Sequence, residues 1–202
     1  GWKKAVELIR SAMQKSGVPF VEAEGEAAFY GPKVDFQIKS AIGREESAST
    51  NQLDFLATER FNLTYTDTDG KQKPLYVIHR APLGSHERFI AFLIEHYAGA
   101  FPMWLAPVQV AILPINDKVI TYAAEVKKAL EEKGIRVSLD SRNESIGKKI
   151  REGEMQKIPY LLIIGDREAA AGTVAVRARG AGDKGAMTTE AFIGMIEKDA
   201  HE

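Results

Sequence analysis

Ser85 and Arg88 begin the stretch of sequence whose residue types point most directly to chemistry. An apolar run at residues 75–78 leads into a turn with Pro82 and Gly84, and apolar residues at helical spacing follow. Ser85 suits the N-cap position, because its hydroxyl accepts a free backbone N–H. Arg88 falls in the first turn, where the helix dipole disfavours a cation by roughly 0.3–1 kcal/mol. Either Arg88 is simply solvated, or it faces an anion or a nucleotide together with the helix N-terminus.

Basic residues recur in the second half of the chain, around a polar helical segment. Such a set is either a solvated face or a local patch that binds a polyanion. Asn143, Glu168 and Arg177 are the more specific candidates, since their donors and acceptors can pair with the base edges of unstacked RNA. Lysines would mainly contact phosphates and make binding salt-dependent. The basic set comprises Arg142, Lys148, Lys149, Arg151, Lys157, Arg167, Arg177, Arg179 and Lys184.

Several other kinds of active site are excluded. The sequence has no cysteine, so disulfides, thiolate metal sites and thiol nucleophiles are impossible. It shows no Ser-His-Asp spacing, no phosphate-binding loop and no H-x-x-x-H pair, and no glycine-rich turn follows residues 108–113. His79 and His86 are isolated in the sequence, and isolated histidines are more often structural than ligands. We expect His86 to pack on the apolar side of its helix.

The composition is that of a globular chain. The 202 residues suit one large or two small domains, and the 45% hydrophobic content is enough for a core. With a formal net charge of −1, binding to a polyanion requires a local patch. No run approaches the roughly 20 apolar residues of a membrane span, and no signal peptide is visible, so no membrane partner is expected.

The first half predicts a helix, then a mostly antiparallel sheet, then a second helix. Helical spacing predicts a helix over residues 2–15 that stops at Gly17. The D-T-D-G turn predicts a hairpin, and alternation of apolar and polar residues predicts the other strands. The helix from Ser85 should bury one face, made of Phe89, Ile90, Leu93, Ile94 and Tyr97. The predicted strands cover residues 18–22, 29–39, 45–55, 61–66 and 73–79.

Residues 102–107 are predicted to form a boundary, after which strands and helices alternate. That order favours a mixed, mainly parallel sheet covered by helices. The fold class is therefore α/β overall, with an α+β first half. Strands are predicted over residues 108–113, 135–139, 160–165 and 173–178, and helices over residues 118–133, 145–156 and 188–198.

Six blocks of the sequence carry a resemblance to known proteins. They are G-E-A-A-F-Y-G-P-K-V-D-F (25–36), Q-L-D-F (52–55), I-H-R-A-P-L-G-S-H-E-R-F (78–89), W-L-A-P-V-Q-V (104–110), R-N-E-S-I-G-K-K-I-R (142–151) and I-P-Y-L-L-I-I-G-D-R-E (158–168). In this order they resemble the C-terminal half of bacterial members of the threonyl-tRNA synthetase family, which are class II enzymes. The resemblance implies that residues 1–105 are the end of the catalytic core, including its third signature motif. Residues 106–202 would be the anticodon-binding domain.

The resemblance also implies roles for individual residues in the first half. Enzymes of this family join threonine to ATP as threonyl-adenylate and then transfer threonine to tRNA. Tyr30 and Lys33 match the family's Y-G-P-K motif, which lines the substrate pocket, and Gln52 matches a residue near the adenylate. Ser85 and Arg88 match residues on the ATP side. Residues 46–49 lack the aromatic residue and the glutamine that precede Q-L-D-F in some relatives, which puts any adenine contact there in doubt.

His79 matches the third ligand of the family's catalytic zinc. The other two ligands, a cysteine and a histidine, belong upstream of Gly1, as do the first two class II motifs. A catalytic zinc needs three protein ligands and one open position. We therefore expect an incomplete zinc site in this chain. ATP with magnesium and zinc would be cofactors of the full-length parent, and this chain should bind none of them stably.

In the second half, Asn143, Lys157, Glu168 and Arg177 match the positions with which the family reads the anticodon. Lys157 stands where some relatives have arginine, so a bidentate contact there is doubtful. The expected partner is threonine tRNA, bound through residues 106–202. The parent also binds threonine and ATP and forms a homodimer, and its location is cytoplasmic.

The sequence thus predicts a fragment of a threonine–tRNA ligase that binds tRNA but does not catalyse the reaction alone. The chain starts with Gly1 and not with methionine, which favours an excised piece. The alternative is a free-standing, non-catalytic module derived from a synthetase, with an RNA-binding or regulatory role. The start codon of the natural gene distinguishes the two.

Overall fold

In a computed structural model, the backbone is described for residues 1–201, and the side chains for all of these except residues 198, 200 and 201. The chain divides into two units, Gly1–Phe92 and Leu93–Glu202. The division falls within the helix His86–Tyr97. Among the described residues, no helix has the length and apolar content needed to cross a bilayer.

The first unit is built around a three-stranded antiparallel sheet. Its central strand is the second strand in the chain, which pairs with the first on one side and the fifth on the other. The third and fourth strands form a separate two-stranded hairpin. The predicted first helix is confirmed, and Gly17 ends it with a left-handed φ of 70°. The elements in chain order are α1 (Trp2–Ser16), β1 (Lys33–Lys39), β2 (Glu45–Asp54), α2 (Leu56–Arg60), β3 (Thr64–Thr66), β4 (Gln72–Pro74), β5 (Val77–Ala81) and α3 (His86–Tyr97).

Three features of the first unit differ from the sequence prediction. Residues 18–22 are not a strand, and Pro19 within them has no N–H to give to a ladder. The strand predicted over residues 73–79 is two strands: β4 pairs with β3, whereas β5 pairs with β2. Helix α2 was not predicted. It starts where the Asp54 carboxylate accepts the backbone N–H groups of Leu56 and Ala57, at 2.8 and 2.9 Å.

Helix α3 begins as predicted but does not bury the predicted face. The Ser85 hydroxyl accepts the backbone N–H of Arg88 at 3.3 Å, which confirms its N-cap role. No residue of α3 is fully buried, and Ile90 and Ile94 are 52% and 49% exposed. The prediction that His86 packs against the protein is also wrong, because the residue is exposed. Helical spacing shows which residues share a face, but not whether another element covers that face.

The second unit contains a five-stranded sheet with the order β10-β9-β8-β6-β7. Strands β6, β7 and β8 are parallel, β9 runs antiparallel to β8, and β10 runs antiparallel to β9. Of these strands only β9 therefore runs against the others, which fits the predicted mixed, mainly parallel sheet. The elements are β6 (Val110–Pro114), α4 (Ile120–Glu131), β7 (Val137–Leu139), α5 (Ile146–Met155), β8 (Tyr160–Ile164), α6 (Asp166–Ala171), β9 (Thr173–Ala178), β10 (Gly182–Thr188) and α7 (Thr189–His201).

Helices cover the two faces of this sheet unequally. One face packs against α4 and α7 in a single apolar cluster that includes Ile112, Leu162, Val176 and Phe192. On the other face, Ile146 and Ile150 of α5 pack over Ala111 and Leu161 of β6 and β8. Beyond α5 on this second face lie three half-buried side chains of β9, which we call the open strip: Thr173, Ala175 and Arg177.

Candidate functional site

Three predicted site residues lie side by side across the first sheet. In the register of the strands, Lys33 of β1 is opposite Gln52 of β2, and Gln52 is opposite His79 of β5. Directly paired residues project from the same face of a sheet. The sequence predicted all three from the resemblance, but the register is what places them in one row.

Tyr30 reaches the same row because the chain makes a close approach at Gly31. A Cβ on Gly31 would lie 1.7 Å from the carbonyl oxygen of Leu53, so no other residue fits without moving the backbone. The backbone N–H of Phe55 donates to the Tyr30 carbonyl at 3.0 Å. The Tyr30 hydroxyl then donates to the side-chain oxygen of Gln52. The Y-G-P-K motif is therefore explained in part by backbone packing.

Polar contacts connect the row to a neighbouring carboxylate. Lys33 forms an ion pair with Asp35, and the Thr50 hydroxyl donates to Asp35 at 2.7 Å. Gln52 donates to Thr50 at 3.3 Å. Burial favours a higher pKa for Asp35, but the hydrogen bonds from Lys33 and Thr50 outweigh it, and the pKa lies below its ordinary value. The sheet face therefore holds a charged pair and an amide in fixed positions.

His79 is engaged by a carboxylate of the neighbouring strand. Its Nε2 lies 2.8 Å from Oδ2 of Asp54. This hydrogen bond, with those from two backbone N–H groups, holds the pKa of Asp54 below its ordinary value. Within the part of the chain that the structure describes, no three histidine, cysteine, aspartate or glutamate side chains form a set that would hold a metal. These residues alone do not fit a catalytic zinc.

Ser85 and Arg88 lie on α3, after the sheet. The turn that leads into α3 passes close to β2, since a Cβ on Gly84 would lie 3.5 Å from the carbonyl oxygen of Ser47. The Arg88 side chain is exposed and has no hydrogen bond or ion pair with any residue that the structure describes. Its guanidinium is therefore free to bind an anion.

In the second unit, a buried lysine fixes the loop that carries Asn143. Lys149 of α5 is only 4% exposed, and its ammonium donates to the carbonyls of Pro114 and Asp140 at 2.9 and 3.0 Å. These carbonyls follow β6 and β7, so one side chain joins the two loops at the carboxyl edge of the parallel strands. Asn143 is exposed on the second of these loops.

Glu168 lies at the same edge, after β8. One of its carboxylate oxygens accepts the backbone N–H of Gly165 at 2.9 Å and so caps the start of α6. This contact uses Oε2 and fixes the direction of the side chain. The carboxylate thus has a structural role that the sequence did not indicate, and within the described part of the chain no residue donates to Oε1.

Arg177 and Lys157 lie towards the opposite end of the sheet. Arg177 is paired with Leu161 near the start of β8, and Lys157 precedes that strand. Five residues of β8 span about 13 Å. The structure therefore brings Asn143 and Glu168 to one end of the sheet and Arg177 and Lys157 to the other, with the open strip leading from one end to the other.

The segment of residues 98–106, which we call the strap, is fastened along the amino ends of these strands. Its backbone carbonyls accept hydrogen bonds from side chains of the second unit. Lys157 binds the carbonyl of Ala98, and Gln109, which is buried, binds that of Met103 at 3.0 Å. Arg179 binds the carbonyl of Phe101 at 2.6 Å, and Arg136 binds those of Trp104 and Ala106 at 2.7 and 2.9 Å.

Many of the basic residues counted in the sequence already have partners. Arg142 holds Asp140 and Glu152, Lys148 holds Glu144, and Lys149 is buried. The hydrogen bonds that Arg142 donates to the two carboxylates raise its pKa above the ordinary value. In the described part of the second unit, Arg151, Arg167 and Lys184 are exposed and have no hydrogen bond or ion pair. The patch available to an RNA backbone is therefore smaller than the sequence indicated.

Comparison with known proteins identifies the family. Residues 2–97 match the family model for the tRNA synthetase class II core domain (G, H, P, S and T), and residues 109–199 match that for the anticodon binding domain. Over 195 residues, 96% of this chain, the sequence is 54% identical to threonine–tRNA ligase of Acetivibrio thermocellus. The chain belongs to the threonyl-tRNA synthetase family.

Other members of the threonyl-tRNA synthetase family extend this similarity. The threonine–tRNA ligase of Geobacillus kaustophilus is 50% identical over 100% of this chain. The crystal structure of the RNA binding domain of threonyl-tRNA synthetase from Cryptosporidium parvum Iowa II has a TM-score of 0.86 at 36% identity, and covers 100% of this chain and 51% of its own. The chain spans 31% of the length of the two curated relatives. The predicted family and fold class are confirmed.

Proposed function

We propose that the second unit binds the anticodon loop of threonine tRNA along the open strip. The observation that carries this proposal is the uneven covering of the sheet: α5 packs over β6 and β8, and the β9 side chains beside it remain half-buried. The anticodon binding domain model matches the same residues.

The proposed contacts are distributed along the strip. Asn143 and Glu168 offer an amide and a carboxylate at the carboxyl edge, and Arg177 offers a guanidinium near the amino edge. At roughly 3.4 Å per stacked nucleotide, the length of β8 corresponds to about four nucleotides. Lys157 belongs to the proposed set by resemblance, although its ammonium binds the strap. Base edges of an unstacked loop supply matching donors and acceptors.

The test compares two arginines by fluorescence anisotropy, using anticodon stem-loops of threonine tRNA and of a variant with a changed anticodon. Arg177→Ala should weaken the binding free energy for the threonine anticodon loop by about 1–3 kcal/mol and reduce the discrimination between the two loops. Arg151→Ala also removes one positive charge, here from α5, and should weaken the binding of both RNAs equally. The slope of the logarithm of the binding constant against the logarithm of the salt concentration should fall in magnitude by about one. Equal binding of both loops by the unchanged protein would contradict the proposal.

We propose that the first unit forms one wall of the site that binds ATP and threonine in the full-length enzyme. The row of Lys33, Gln52 and His79, with Tyr30 above Gln52, supports this proposal, as does the free guanidinium of Arg88. Enzymes that activate carboxylates with ATP act largely by positioning substrates and stabilising charge. The proposed roles are substrate contact for Tyr30, Lys33 and Gln52, and ATP contact for Ser85 and Arg88.

A further inference from the structure

A hollow of about 310 Å³ lies at the Arg177 end of the open strip, where α5 ends over β8. Ile158 and Leu161 line it with apolar atoms, and Glu154, Arg177 and Arg179 contribute its charges. Helix α5 comes close to the sheet here, since a Cβ on Gly153 would lie only 2.7 Å from the Leu161 side chain. The approach is possible because glycine has no side chain. This close approach brings Glu154, the next residue, beside Arg177.

The two arginines of the hollow are held in different ways. Arg179 donates to two backbone carbonyls, those of Lys157 and Phe101. Arg177 donates through Nε to the Glu154 carboxylate at 2.9 Å, and neither terminal nitrogen of its guanidinium has a partner among the described side chains. The side chains of Arg177 and Glu154 are 42% and 52% exposed. Ion pairs this exposed are weak and are easily replaced.

We propose that Glu154 is a specificity-determining residue, whose carboxylate repels RNA groups that bind to the guanidinium of Arg177. A phosphate or a base acceptor bound by this guanidinium would stand beside a carboxylate, and like charges repel. A base acceptor of the threonine anticodon is neutral and is repelled little, whereas an RNA with another anticodon would meet the guanidinium only through a charged phosphate, which the carboxylate repels more strongly. Discrimination between partners often depends on such a repulsive contact as well as on attractive ones. The inference rests on the proposed RNA-binding function.

The experiment uses Glu154→Gln, which keeps the size of the side chain and removes its charge. We expect this variant to bind the stem-loop with a changed anticodon about 2–5 times more tightly, a gain in line with an exposed ion pair. The threonine anticodon stem-loop should gain less, so the ratio of the two dissociation constants falls. Combining Glu154→Gln with Arg177→Ala should abolish the gain.

Glu152→Gln is the matched control. It makes the same change of charge on the same helix, but Glu152 is paired with Arg142, which Asp140 also holds. We expect it to change the affinity for both RNAs equally. The inference is overturned if the two variants have the same effect on discrimination, or if the gain persists without Arg177.

The two proposals fail in different ways. If the unchanged protein binds neither stem-loop, the proposed RNA-binding function fails, and the role of Glu154 fails with it. If the unchanged protein discriminates between the loops and Glu154→Gln leaves that ratio unaltered, only the role of Glu154 fails. Circular dichroism of each variant establishes that the comparison is made between folded proteins.

Discussion

At the scale of single residues, Arg88 occupies the unfavourable position for a cation that the sequence predicts, in the first turn of α3. The Arg88 guanidinium lies near the N-terminus of α3, which Ser85 caps, and pairs with none of the residues that the structure describes. A cation at this position is unfavourable unless an anion is bound there. The side chain is therefore a sensitive place to test the proposed nucleotide contact.

We expect this chain to bind ATP weakly at millimolar concentration through Arg88. Saturation-transfer NMR should show transfer from the protein to the adenine protons, and Arg88→Ala should abolish it because the phosphates lose their cation. Arg44→Ala is the control, since Arg44 is an exposed arginine of the same unit whose side chain has no described partner. Equal losses in both variants would show that the contact is non-specific.

The sequence named candidate residues but not their surroundings. The resemblance gave Tyr30, Lys33, Gln52 and His79 separate roles, and the register of three strands places Lys33, Gln52 and His79 on one face. No pattern in the sequence indicates that Glu168 caps α6 or that Lys149 is buried, because both side chains contact backbone atoms. Backbone partners depend on how loops meet, which residue types alone do not specify.

At the scale of elements, the position of α5 decides what the second unit exposes. Two glycines of α5 differ in their surroundings. A Cβ on Gly153 would lie 2.7 Å from Leu161, whereas a Cβ on Gly147 would meet nothing within 4 Å. The close approach at Gly153 places Glu154 beside Arg177, so the stability of the helix–sheet contact and the shape of the hollow are linked.

We predict opposite effects for alanine at these two glycines. Gly153→Ala should destabilise the unit by about 1–3 kcal/mol because the methyl group overpacks the contact with Leu161. Gly147→Ala should be neutral or stabilise by up to about 1 kcal/mol through helix propensity. Urea unfolding followed by circular dichroism measures both, and equal stability of the two variants would refute the packing argument.

The elements that the sequence missed are short or weakly patterned. Helix α6 has six residues, and β10 contains glycines at residues 182 and 185. Neither shows the periodicity on which prediction depends. The backbone of β10 is extended because it pairs with β9. The pattern of residues within β10 does not reveal this pairing. The strongly apolar strands β6 and β8 were predicted to within two residues, because burial on both faces leaves a continuous apolar run.

At the scale of the whole molecule, the strap shows which residues before position 106 belong to the second unit. The sequence places the boundary between residues 105 and 106. Two features tie the preceding residues to the second unit: the carbonyls of the strap are held by Lys157, Arg179, Gln109 and Arg136, and Met103 lies in the apolar core.

We predict that chains starting at residues 93 and 98 are about equally stable and that a chain starting at residue 106 is less stable by at least about 2 kcal/mol. The shortest chain loses Met103 from the core and, with it, the carbonyl that accepts a hydrogen bond from buried Gln109. Urea denaturation of the three chains is the measurement. If the chain starting at residue 106 matches the other two, residues 106–202 form the complete domain that the sequence predicts.

Lys149 has a consequence for covalent modification of the protein. Acetylating reagents need a neutral, accessible amine, and the ammonium of Lys149 is enclosed by the loops after β6 and β7. Exposed lysines of the same unit, such as Lys184, should therefore be acetylated first. Any acetyl group at Lys149 would mark molecules in which the two loops had separated, so the labelling rate of this one amine measures how often the carboxyl edge opens.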